Sequence, residues 1–240
     1  MTEDEKAKEV ELNVNDMMDE MYNFVSKCND DEVSKGIAPL PGVLDTLTTL
    51  ASKYTNNNEN NVACGLVTGN VEGIARRKMS ALGIHNTNAF TPLLQPQGGR
   101  VWDGAEAIRF LGGFGSDYCS GSIDNPDRNY LDRGEQIAIC VQRCLDLSKS
   151  SSKDGTPLLD KVIHVGDAPA DILAAKSYVN HPNKPPGLTV SCVGVSTGTY
   201  SSHELTKLCG ERAVNREPIV LEEGQGVGNE EVFLKACGLI

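Results

Sequence analysis

The chain has 240 residues, 39% hydrophobic and 23% charged, the composition of a globular protein rather than a disordered one. Its net charge is −11, from 22 basic and 33 acidic side chains, and it has no basic block, which argues against binding nucleic acid or an anionic membrane surface. No apolar run approaches the roughly 18 residues of a membrane span. The charged start MTEDEKAKEVELN lacks the apolar core of a secretory signal, so the chain reads as cytoplasmic, an organelle remaining open if an upstream transit peptide exists. The eight cysteines form no CxxC pair and read as reduced, mostly buried thiols. Cys140 and Cys144 stand one helical turn apart; packing is the expected role, with a shared metal as the alternative.

Val10, Val14, Met17, Met21 and Val25 recur at helical spacing and predict a first amphipathic helix. The period-two alternation over 9–14 favours a strand but is shorter. Gly36 and Pro39-Leu-Pro-Gly42 break the chain, and a second helix is predicted from about Val43 to Tyr54. The Asn-rich stretch 55–61 reads as a solvated insertion. Val62–Val67 is a short apolar run suited to a strand buried on both faces, and a helix follows to about Leu82, ended by Gly83.

Residues 84–118 are less regular, with Ala89-Phe90 and Phe110–Phe114 as candidate short strands. Residues 119–131 read as a polar loop. Asp132 is then expected to cap a helix from Arg133 to about Leu147, Glu135 completing a capping box. Ser148–Pro157 reads as a second polar insertion. Lys161–Val165 is a second buried-type strand, Pro169 opens the next helix, Leu188–Val195 is a third strand, Ser202–Cys209 a short helix and Glu217–Leu221 a last edge strand. Strands alternating with helices predict an α/β fold with a parallel sheet.

Three strand or helix ends carry chemistry, at the edge where open α/β sheets bind ligands. Leu66-Val-Thr-Gly-Asn70 offers a hydroxyl and a glycine backbone ahead of a helix, which suits phosphate; a helix cap with a turn glycine is the alternative. Arg133, expected in a helix first turn, opposes the macrodipole and therefore suggests an anion before it; a solvated surface arginine is the alternative. In Val165-Gly-Asp-Ala-Pro-Ala-Asp171, Asp167 and Asp171 are hard oxygen ligands suited to Mg²⁺; a pair of capping acids is the alternative.

Taken together, these motifs resemble the haloacid dehalogenase-like (HAD) hydrolase superfamily, mostly phosphatases. Pro41-Gly-Val43 resembles the segment that leaves the helical cap in phosphoglycolate phosphatase-like members. The resemblance covers about residues 38–222. It implies a Rossmann-like parallel sheet over 41–240, with residues 1–40 the remnant of a helical cap. It also implies Mg²⁺-dependent hydrolysis of a small phosphomonoester, in which an aspartate attacks phosphorus and water releases the aspartyl-phosphate. By that resemblance Thr68, with Gly69 and Asn70, contacts the phosphoryl oxygens and Arg133 neutralises their charge. Asp167 ligates Mg²⁺, and Asp171 supports that site directly or through water.

The family's Asp-x-Asp nucleophile motif after an amino-terminal strand has no counterpart here. Asp16 and Asp19 fall on the first helix and Asp30-Asp31 in a polar loop. The expectation is a chain that begins late, or a pseudoenzyme that keeps a phosphate pocket without turnover. Without the central strand, the strands at 62–67 and 161–165 have open inner edges or must pair with each other. A nucleotide-binding oxidoreductase is disfavoured, because no GxGxxG follows a strand. Nothing in the sequence sets the oligomeric state.

Overall fold

The computed structural model describes residues 2–55, 62–93, 110–118, 125, 127–151, 159–209 and 219–240. The Asn-rich run at 56–61, most of the polar insertion at 148–157 and much of the loop at 119–131 lie outside the described residues. The helices are α1 (Glu3–Ser26), α2 (Asp30–Val33), α3 (Val43–Leu50), α4 (Glu72–Ala81), α5 (Arg128–Ser151), α6 (Pro169–Val179), α7 (Ser202–Cys209) and α8 (Glu230–Ala236). The strands are β1 (Leu66–Thr68), β2 (Gly112–Phe114), β3 (Lys161–Gly166), β4 (Thr189–Val195) and β5 (Ile219–Leu221). The chain is thus a mixed α/β fold, and every strand pair within its two sheets is parallel.

β3, β4 and β5 form one sheet in that order, with His164 level with Cys192 and Val193 level with Ile219. Their residues alternate between two helical layers, as the period of a strand requires. Val162 and Val190 pack with Ile137, Val141, Ala174 and Tyr178 of α5 and α6. Ile163, Val165, Val193 and Val195 pack on the other face with Leu50 of α3 and Phe233 and Leu234 of α8. This double burial accounts for the continuous apolar runs of β3 and β4. α8 is an element the sequence reading passed over; the Asn229 side chain caps it by accepting from the Val232 N–H at 3.5 Å.

β1 and β2 form a separate two-stranded sheet, Val67 level with Gly113. β1 and β3 do not pair with each other, so of the two outcomes expected without a central strand the open-edged one is found among the described residues. α5 bridges the two sheets, because it packs on both β1 and β2 as well as on α6.

Three expectations are corrected. The strand predicted at 62–67 is shorter and later, because Thr91 captures Cys64: its hydroxyl accepts from the Cys64 N–H at 3.0 Å and its N–H donates to the Cys64 carbonyl at 2.9 Å. Of the two candidate short strands, Gly112–Phe114 forms, whereas Ala89-Phe90 does not. The helix expected from Arg133 begins at Arg128, so Asp132 lies inside it and caps nothing; its carboxylate instead accepts from Arg128 Nε at 3.0 Å, one turn earlier. Glu135, the other half of that expected box, instead lies with its Oε2 2.9 Å from His181 Nε2.

α1 and α2 pack on α4, with Tyr22 buried against Val71 and Ile74. At the start of α3, Gly42 adopts φ +77°, and a Cβ there would run into the Gly228 carbonyl. Gly42→Ala is therefore expected to cost about 1–3 kcal/mol, through the left-handed backbone and the overlap together. The check is the urea midpoint at unchanged slope; a midpoint equal to the parent's would show that this contact relaxes freely.

Candidate active site at the strand ends

β3 ends in Gly166, and the chain turns through Asp167 and Ala168 into α6, whose first residue is Pro169. Pro169 suits that position because its missing N–H would have had no helical partner. Ala168 has no side-chain acceptor, so Asp171 closes the turn alone. Its Oδ2 accepts from the N–H groups of Asp167 and Ala168, each at 3.1 Å. Gly166 leaves the room for this, since a Cβ there would overlap the Asp171 carboxyl group.

The other oxygen of Asp171 faces α5. Arg133 Nη1 donates to Oδ1, and His164 Nε2 of β3 stands 3.7 Å from the same atom. The Asp171 side chain is 5% exposed. Burial alone would raise its carboxyl pKa; the neighbouring His164 imidazole and Arg133 guanidinium outweigh that and hold it down at about 2. Arg133 thus lies in the second turn of α5 rather than the first. The argument that its charge opposes the helix dipole no longer applies, and its immediate partner is Asp171.

Asp167 differs from Asp171. It is exposed, and among the described residues its carboxylate makes no hydrogen bond or ion pair. The loop after β4 passes beside it, and at Gly198 a Cβ would collide with the Asp167 carboxylate. The carboxylate therefore stands in a space that a glycine keeps open. Magnesium commonly takes one or two protein carboxylates and fills its remaining positions with water and phosphate oxygens. Asp167 fits as such a ligand. Asp171, with both oxygens engaged by N–H donors, fits as the group that shapes the turn. Among the described residues no cluster of three or more His, Cys, Asp or Glu side chains suits a metal.

At the end of β1, the Thr68 hydroxyl accepts from the Asn70 N–H at 3.2 Å and from Asn70 Nδ2 at 2.9 Å. Both lone pairs are then used, and the hydroxyl proton is left to donate outward. Gly69 and Asn70 are exposed. Lys78 of α4 reaches Asn70 Oδ1 at 3.4 Å and brings a cation to this turn. The first N–H of α4, at Glu72, is already given to Ser116 Oγ at 3.1 Å.

The structure joins Arg133, Asp171 and His164 directly, with Asp167 at the same turn. Among the described residues no hydrogen bond or ion pair joins Thr68 to Arg133 or Asp167. Sequence reasoning missed His164 and Lys78. His164 had a signal, an ionisable residue inside an apolar strand; Lys78 had none, being one more polar residue on a helix. Burial pushes the Cys140 thiol up to about 12, raises Cys144 as well, and so disfavours the thiolate a metal needs.

Comparison with family models, curated proteins and solved structures found no match to this chain. No helix among the described residues is long and apolar enough to cross a membrane.

Proposed function

We propose that this chain is a haloacid dehalogenase-like phosphatase scaffold that binds a small phosphomonoester, or phosphate itself, with Mg²⁺, and does not turn it over. The observation that supports the reading most is Asp167. Among the described residues it is an unpartnered carboxylate at the carboxyl end of a parallel strand, with a glycine-kept space beside it and the Arg133–Asp171 pair behind it.

Within this reading, Asp167 would hold Mg²⁺, which when bound supplies positive charge to the phosphate oxygens. Asp171 fixes the turn that aims Asp167. Thr68 donates its free hydroxyl proton to a phosphoryl oxygen, while the Gly69 backbone lets the ester approach closely. Arg133 and Lys78 place positive charge near the strand ends, the charge distribution that phosphoryl groups favour.

Turnover needs an attacking group, and the candidates in the first forty residues are elsewhere. Asp16 and Asp19 lie on α1, and Asp30 pairs with Arg77 of α4 at 2.5 Å. Inorganic phosphate with Mg²⁺, each at about ten times its Kd, is expected to raise the melting temperature by about 6–11 °C. Hydrolysis of p-nitrophenyl phosphate is expected to stay at the buffer rate. Absence of any thermal shift would overturn the binding reading. Steady hydrolysis abolished by Asp167→Asn would overturn the claim of no turnover.

A further inference from the structure

The outward face of α1 carries a second apolar stripe, separate from the one that holds it to the domain. Met18, Tyr22 and Val25 face inward, onto Val71 and Ile74 of α4. Ala7, Val10, Val14, Met17, Met21 and Phe24 follow one another at alternating spacings of three and four, and all are exposed, Val10 by 60% and Phe24 by 72%. Cys28 continues the series just past the helix end. A helix needs only one stripe to dock on its own domain. A further stripe with a seven-residue repeat has the form of a coiled-coil seam, whose natural complement is a helix with the same repeat.

We propose that α1 pairs in parallel with α1 of a second copy of this chain. Ala7, Val14, Met21 and Cys28 form one set of layers, and Val10, Met17 and Phe24 form the other. The charges beside the seam select both the occupant and its direction. In the parallel arrangement Lys6 stands opposite Glu11 of the partner subunit, and two-fold symmetry makes the pair twice. The remaining flanking positions, Asn13, Met18, Glu20 and Val25, bring no like charges together. An antiparallel arrangement would set Lys6 against Lys27 of the partner subunit. Lys6 meets Glu3 on its own helix at 3.4 Å, an exposed contact that costs little to exchange. α1 has 24 residues. At 1.5 Å per residue the seam from Ala7 to Cys28 is about 32 Å long, a three-heptad contact that gives a reversible dimer rather than a permanent one.

The test is sedimentation velocity on the full chain from about 5 to about 200 μM, a range that brackets micromolar association. The expected result is a mass rising toward twice that of one chain. Met17→Glu and Met21→Glu are each expected to hold it at one chain throughout. Because both side chains are exposed, each variant should keep the parent's circular dichroism and dilute-solution melting temperature. Oxidation by diamide, which takes two electrons and two protons from a thiol pair, is expected to give a cross-linked dimer that Cys28→Ser abolishes. A single-chain mass at every concentration, or a dimer indifferent to both glutamate variants, overturns the proposal. A dimer lost in those variants but not cross-linked through Cys28 overturns the parallel register. None of these readouts depends on phosphate or Mg²⁺.

Discussion

Replacing Asp117 with alanine is expected to destabilise the chain by about 3–5 kcal/mol, the cost of taking the two-pronged carboxylate away from a buried arginine. Asp117 follows β2 and accepts from Arg143 of α5 through both oxygens, Oδ2 from Nη1 at 2.6 Å and Oδ1 from Nη2 at 2.8 Å. The side chains of Arg143 and Asp117 are 10% and 6% exposed. Arg143 Nη1 also donates to the Gly112 carbonyl at 2.8 Å, and Asp117 Oδ2 also accepts from the Phe114 N–H at 3.0 Å. Burial alone would lower the Arg143 pKa, but the hydrogen bonds and charge of Asp117 reverse that and raise it. Arg143 therefore stays ionised. Arg143→Lys should recover little, because a lysine cannot make the two-pronged contact. Urea unfolding of Asp117→Ala, Arg143→Met and the double variant provides the check. The double variant should lose less than the sum of the singles, since removing both charges leaves neither stranded. Strict additivity would show that the two side chains do not act as a unit.

The second large effect concerns Asp171. Asp171→Asn should cost about 2–3 kcal/mol at neutral pH, because Arg133 loses its carboxylate and the turn after β3 loses an ionised acceptor. The pH dependence has a definite sign. The folded carboxyl titrates at about 2, below the ordinary value of 3.8. The pair therefore contributes stability above the ordinary value, and that contribution is lost as pH falls from about 4 toward 2. Thermal melts across that window should show the parent losing more than the variant. Parallel curves would mean that the carboxylate contributes nothing through its charge.

The sequence made β3 and β4 legible because both faces of that sheet are covered, so their apolar residues run without interruption. β1 was misplaced because Thr91, 27 positions from Cys64, takes the backbone groups that would have extended it. The start of α5 was misread because Asp132 is as good a capping residue as an interior one, and only Arg128 one turn earlier decides. Among the candidate residues, Thr68, Asp167 and Asp171 stand out in the sequence because strand-to-helix turns announce themselves through glycine and proline. The division of labour between the two aspartates does not. It depends on Arg133 arriving 38 positions away and on Gly166 and Gly198 yielding space. The Asp117–Arg143 pair was invisible for the same reason: neither residue is unusual until the fold brings both to the back of β2.

The missing ladder between β1 and β3 has a consequence for cooperativity. Within the described chain the two sheets exchange no backbone hydrogen bonds, so neither can template the other. α5 mediates between them: Arg143 grips β2, while Ile137 and Val141 pack over Val162 and Val190. A substitution along α5 is therefore felt on both sides at once, as is one along α3, which packs on the β3–β5 sheet through Leu50 and also meets the turn at Ile84–Thr87 beside α4.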